Sequence, residues 1–239
     1  MSHTWTLADV AKHWDSCDNY DASNALIDSY LRRFTDSALL FAMPSNANVL
    51  DIDCRTGNGT VFFSRKYPDA SFTCLASAQS FVQAARKRLQ EEVIAANAAQ
   101  FTALPLSLPD AHFDVILSYE TLEHMPEPEI FTQELARVLK PNGTLVLTTP
   151  NVFWEPVHWL SAKLHLDHGE GPHRMIPRKE ILHAFANAKL RVLREKTCVL
   201  IPAGPHWLLS LGKALETLFP EWLLRILALR RTFICTKHG

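Results

Sequence analysis

Apolar and polar positions along this chain alternate between two periods. Asn48–Ile52, Ser71–Leu75, Phe113–Tyr119 and Gly143–Thr148 are short apolar runs of the kind that form buried strands. The stretches between them carry apolar residues at helical spacing. Helices are predicted from about Gly59 to Lys66, stopped by Pro68, from Gln79 to about Asn97, and over Glu127–Leu139. The second helix puts Phe81, Ala84, Ala85 and Leu89 on one face, and the third does the same with Phe131, Leu135 and Val138. Gln100–Ala103 reads as a brief further strand, and Pro141-Asn142-Gly143 as a stop and turn. Upstream, residues 1–45 read as helical, with Ile27, Tyr30, Leu31 and Phe34 on one face and Trp5, Val10 and Trp14 more loosely spaced. The rhythm breaks after Pro150. A helix returns at Arg178–Ala188, then a strand at Leu190–Leu200, an apolar helical stretch over 206–230 split by Pro220, and a closing strand at Thr232–Lys237.

Strands alternating with helices at this spacing predict an α/β fold, a doubly wound and mainly parallel sheet. Right-handed crossovers then bring the C-terminal strand ends to one edge, where such sheets bind ligands. The expected layout is one domain in three parts: a helical segment over residues 1–45, an α/β core over 46–150, and a stretch with amphipathic helices and final strands over 151–239, the first and last of which the resemblance described below makes a cap and a substrate-shaping insertion.

Composition narrows the function classes. The 239 residues are 47% hydrophobic and 21% charged, with a formal net charge of −1, so nothing marks a nucleic-acid binder. Met1 to Val10 has no apolar signal-peptide core, and the five cysteines show no CxxC or Cys/His spacing. A cytoplasmic protein with reduced thiols and no metal site is the expectation.

The densest chemical signal is Val49-Leu50-Asp51-Ile52-Asp53-Cys54-Arg55-Thr56-Gly57-Asn58-Gly59-Thr60, a strand that ends on an acid and enters a helix through a glycine-bearing loop. Three further segments follow in order: Leu106-Ser107-Leu108-Pro109-Asp110-Ala111-His112-Phe113-Asp114, then Glu120-Thr121-Leu122-Glu123-His124, then Arg137-Val138-Leu139-Lys140-Pro141-Asn142-Gly143-Thr144-Leu145. Together they resemble the motifs of the class I S-adenosylmethionine-dependent methyltransferases, especially those acting on quinones, lipids and other small molecules. The resemblance runs from about Val49 to Thr149. It implies a Rossmann-like sheet of seven strands with the last one antiparallel, S-adenosylmethionine lying across the strand ends, and a lid made by the N-terminal helices and the region after the fifth strand.

The chain departs from that pattern in four places. Asp53 and Arg55 stand where the family has glycines that let the backbone approach the methionine part of the cofactor. Ala76, followed by Ser77, stands where an acid meets the ribose hydroxyls, and Thr102 or Ala103 where an acid meets the adenine. The cofactor-binding residues implied are Asp51, Asp53, Gly57, Gly59, Ser77, Ala103 and Tyr119. Asp53 as a substitute carboxylate, a pocket for a different adenosyl ligand, and a relic serving as a scaffold are the three readings these changes leave open.

Methyl transfer needs a base only where the acceptor carries a proton. His124 and His173 are the candidate catalytic residues, with His168 beside them in the segment His165–Arg174; a structural histidine is the alternative in each case. The stretch 206–229 is too often interrupted by Lys213, Glu216, Glu221 and Arg225 to span a membrane. It reads as a helical pair packed on the sheet or over the pocket, with peripheral membrane contact for a lipid-like acceptor as the alternative. A nicotinamide dehydrogenase is excluded because the loop lacks a third glycine to let the helix pack.

Overall fold

The computed structural model describes residues 5–17, 20–25, 27–163 and 171–238. Three helices precede the sheet: α1 Leu7–Asp15, α2 Tyr20–Ala25 and α3 Asp28–Ser37. The core then runs β1 Asn48–Ile52, α4 Asn58–Lys66, β2 Ser71–Ala76, α5 Gln79–Glu91, β3 Ala96–Gln100, β4 Phe113–Tyr119, α6 Pro128–Val138 and β5 Leu139–Pro150. The remainder is α7 Glu155–Lys163, α8 Arg178–Asn187, β6 Leu190–Cys198, α9 His206–Leu218, α10 Glu221–Leu227 and β7 Arg230–Lys237.

The seven strands lie in the order β3-β2-β1-β4-β5-β7-β6. β7 is antiparallel to both of its neighbours, and the other pairs are parallel. The two-residue strand period sorts the core onto two faces. Val49 packs with Phe81, Val82, Ala85 and the cap residues Val10, Trp14 and Phe34, whereas Leu50 and Ile52 pack with Phe131, Leu135, Ile181 and Phe185. Asp51 therefore points to the face that the N-terminal helices cover.

Two predicted elements move. The third strand lies at Ala96–Gln100 and not at Gln100–Ala103, so α5 ends at Glu91 and not near Asn97. Ala96-Asn97-Ala98-Ala99-Gln100 has no β-branched or aromatic residue, and pairing with β2 fixes it where propensity does not. β5 begins at Leu139, before the expected Gly143, and passes Asn142 at φ 63°. The expected turn is thus a left-handed kink inside the strand, opposite a register shift between Phe113 and Val115.

α9 and α10 turn their charges toward the body. Arg32 of α3 bonds Glu216 through two nitrogens, at 2.9 and 2.6 Å, and Lys213 meets Asp28 at 3.0 Å. Trp207, Leu211 and Leu218 of α9, with Trp222 and Ile226 of α10, are left exposed. The helical pair, expected on the sheet or over the pocket, buries Gly212 and Leu224 and presents an apolar stripe outward. Among the described residues, no helix is long and apolar enough to cross a membrane.

Candidate active site

The backbone between β1 and α4 takes left-handed values at every second residue: φ is 55° at Asp53, 51° at Arg55 and 82° at Gly57. Such values cost an ordinary residue about 1–2 kcal/mol, with aspartate tolerating them best. Asp53 and Arg55 thus keep the backbone shape that glycine would supply and add two side chains inside it. Substituting Gly57→Ala, which has no such tolerance, should lower stability by ~1–2 kcal/mol in urea unfolding.

Asp53 sends its carboxylate to the end of β2. Its Oδ1 accepts from the Ser77 amide at 3.1 Å and from the Ser77 hydroxyl at 2.9 Å. Its Oδ2 lies 2.9 Å from Arg55 Nη1, with both side chains almost wholly buried. That contact is close but poorly aligned, and neither atom has a properly directed hydrogen bond. Arg55 Nη2 donates to the Glu120 carbonyl at 3.1 Å, and the guanidinium carbon sits 4.4 Å from the Trp14 ring centroid. The cation is held between an aromatic face and a carboxylate, an arrangement worth about 2 kcal/mol or more when desolvated.

Asp51 lies beneath this pair. It accepts from the Thr60 hydroxyl at 2.6 Å. Burial, opposed by that hydrogen bond and reinforced by the Asp53 charge, pushes its carboxyl up to about 7. Gly59 leaves no room to spare: a Cβ there would stand 3.1 Å from the Phe34 ring and 3.2 Å from Asp51 Oδ2. What remains open, lined by Asp51, Asp53, Arg55, Gly59, Arg33 and Tyr119, is a cavity of about 10 Å³, room for one water.

A larger cleft of about 400 Å³ opens beside it, between α1 and the end of β3, lined by Leu7, Lys12, Asp15, Gln100 and Thr102 among others. Gln100 Nε2 donates to the Ser77 carbonyl at 2.9 Å, so Ser77 joins the cleft to Asp53. Of the two positions after the third strand, Thr102 lines this cleft, whereas Ala103 is exposed and does not. Tyr119 lines the small cavity, but its hydroxyl pairs with Ser37 at 2.8 Å and its ring packs against Phe34 and Phe63.

The two candidate bases meet over the same edge. The His124 and His173 rings are 6.0 Å apart, and His124 is 5.5 Å from Trp14. His124 Nδ1 lies 3.1 Å from the Pro172 carbonyl, and His173 Nδ1 lies 2.9 Å from the Gly171 carbonyl. A carbonyl can only accept, so in each of these contacts Nδ1 is the donor. His168 lies outside the described residues. Among the described residues no three His, Cys, Asp or Glu side chains group as metal ligands.

Residues 50–147 match the family model described as a methyltransferase domain. The match runs from Leu50 in β1 to Leu147 in β5 and takes in the strand edge described above. The 2-methyl-6-phytyl-1,4-hydroquinone methyltransferase of Synechocystis sp. is 33% identical over 48% of this chain and 39% of its own length. The fatty-acid O-methyltransferase of Mycolicibacterium smegmatis is 28% identical over 48% of this chain and 41% of its own. The chain thus spans about two fifths of the curated relatives it matches. The fold extends further: geranyl diphosphate C-methyltransferase from Streptomyces coelicolor superposes with a TM-score of 0.70 at 15% identity, covering 98% of this chain and 97% of that one.

S-adenosylmethionine is the group the motif resemblance implies, and the donor set here fits an adenosyl ligand. A buried carboxylate oxygen, Asp53 Oδ2, lacks a directed partner, a cation already stands against Trp14, and an open cleft adjoins Ser77.

Proposed function

We propose that this protein transfers a methyl group from S-adenosylmethionine to a small, apolar or lipid-like acceptor. One observation carries the reading: the strand edge that carries the matched motifs holds a cation between the Trp14 ring and the Asp53 carboxylate. S-adenosylmethionine, when bound, supplies a methyl group on a positively charged sulfur. Asp51 and Asp53 form the floor of that site, Ser77 and Gln100 set the wall beside the cleft, and Trp14 roofs it. The cap and the 171–174 segment exclude water: Trp5 Nε1 donates to the His124 carbonyl at 3.0 Å, and the Arg174 amide donates to the Glu123 carbonyl at 2.8 Å. For an acceptor that carries a proton, Nε2 of His124 or His173 is the base.

The acceptor class draws support from the curated relatives, whose names include a phytyl hydroquinone and a fatty acid. It also draws support from the outward stripe on α9 and α10. Two tryptophans, Trp207 and Trp222, are 69% and 65% exposed there among leucines and isoleucine, the composition of a helix lying at a lipid surface. Replacing both by serine should lower binding to phosphatidylcholine vesicles roughly tenfold or more, since each buried apolar side chain contributes ~1.5 kcal/mol or more. The melting temperature should stay unchanged. Co-sedimentation checks the first expectation and thermal unfolding the second.

A second reading, a non-catalytic binding or assembly domain, is favoured by the closure of the small cavity around Arg55. Incubation with S-[methyl-³H]adenosylmethionine and a panel of prenyl hydroquinones and fatty acids separates the two. Label in the lipid extract is the expected result. Absence of label from every acceptor, in a protein that also fails to bind S-adenosylhomocysteine, would establish the second.

A further inference from the structure

We infer that Asp53 is a relocated hydroxyl-binding carboxylate and that Arg55 is an internal cation occupying its free oxygen until an adenosyl ligand displaces it. This deepens the proposed function and rests on the edge taking an adenosyl ligand at all.

The geometry separates two roles. Asp53 is fixed: Oδ1 is tied twice to Ser77, so the carboxylate keeps one orientation at the end of β2. That places an acid beside Ala76, whose own methyl group can bond nothing, by way of the neighbouring loop and not through β2 itself. Oδ2 is turned the other way, is buried, and has no directed hydrogen bond. Two adjacent hydroxyls would offer this oxygen the donors that the misaligned Arg55 contact does not.

Arg55 is held by weaker means. It keeps one directed hydrogen bond, to the Glu120 carbonyl, and two ring faces, Trp14 at 4.4 Å and Phe81 at 5.7 Å. Its Nη1 is within ion-pair distance of Asp53 yet unaligned, so much of its desolvation is uncompensated. A guanidinium in this state is the part of the site that can leave, and its φ of 51° means that glycine at this position would relieve strain and not create it. The cleft lined by Gln100 and Thr102 provides space for the ring system of a nucleoside, and Gln100 connects it through Ser77 to Asp53. Ligand and Arg55 therefore compete for one carboxylate, and the side chain lowers affinity by an amount set by its own contacts.

Isothermal titration tests this with wild type, R55G, D53N and the double variant, each first shown to melt cooperatively. The probes are S-adenosylhomocysteine, adenosine and 2′,3′-dideoxyadenosine. R55G should bind S-adenosylhomocysteine at least about tenfold tighter than wild type, the loss of one charged competitor. R55G should prefer adenosine over the dideoxy compound by about tenfold or more, and the double variant should lose that preference. Equal affinity of wild type and R55G, or a hydroxyl preference that survives D53N, would overturn the inference while leaving the adenosyl site standing. No binding by any variant at millimolar probe would overturn both.

Discussion

Replacing Arg230 by methionine should destabilise the protein by about 3–5 kcal/mol, the cost of leaving a largely buried carboxylate without its partner. Arg230 is the first residue of β7, and its Nε donates to Glu120 Oε1 at 2.9 Å with the arginine side chain 3% exposed. Burial works to raise the Glu120 carboxyl, and Arg230 together with Arg33 overcomes it and holds the group below its ordinary value. Arg230 Nη1 also donates to the Ser29 carbonyl at 2.6 Å, so one side chain joins the last strand, the end of β4 and the cap helix α3. The melting temperature should fall by roughly 6–20 °C for a chain of this size. Lysine at 230, which cannot serve both acceptors with a fixed fork, should restore only part of that loss. A fall of less than a few degrees in R230M would show that the cap is held by packing alone.

The second large effect is a pH dependence. Burial lifts the Asp51 carboxyl from its ordinary 3.8 to about 7, so the folded state keeps a proton that the unfolded chain releases. The sign follows: the contribution is fully present below about pH 4 and is lost as pH rises toward 7. At about 1.4 kcal/mol per pH unit, the difference across that window reaches roughly 4 kcal/mol. Asp51→Asn carries no titrating group there, so its stability relative to wild type should rise steadily from pH 4 to pH 7 and level off above it. Urea unfolding of both proteins at several pH values reads this directly. A constant difference would mean that Asp51 ionises normally beneath Asp53.

The strand ladder was readable because its apolar runs are continuous. Asn48–Ile52 and Phe113–Tyr119 form over the residues expected, and β7 takes the antiparallel place that the resemblance implies. β3 was not readable in place, since alanine, asparagine and glutamine carry no strand period and pairing with β2 fixes them. The orientation of α9 and α10 was equally hidden, because the salt bridges that turn their charges inward join residues about 185 positions apart. At the site, the motif resemblance marked Asp53 and Arg55 as standing at glycine positions and Ala76 as standing where an acid is expected. It did not show that Asp53 reaches Ser77, that Trp14 stacks over Arg55, or that Gln100 bonds the Ser77 carbonyl. These are contacts between elements far apart in sequence, and no spacing along the chain encodes them.

The central claim is that the edge above Asp51, Asp53 and Gly59 is an adenosyl-binding site whose space Arg55 holds. A crystal structure of the wild-type protein grown with S-adenosylhomocysteine tests it most directly. The account predicts ligand density running from the Gln100–Thr102 cleft past Ser77, with a hydroxyl on Asp53 Oδ2 and the Arg55 guanidinium moved off Trp14. Density elsewhere, or Arg55 still seated between Trp14 and Asp53 at saturating ligand, would contradict it.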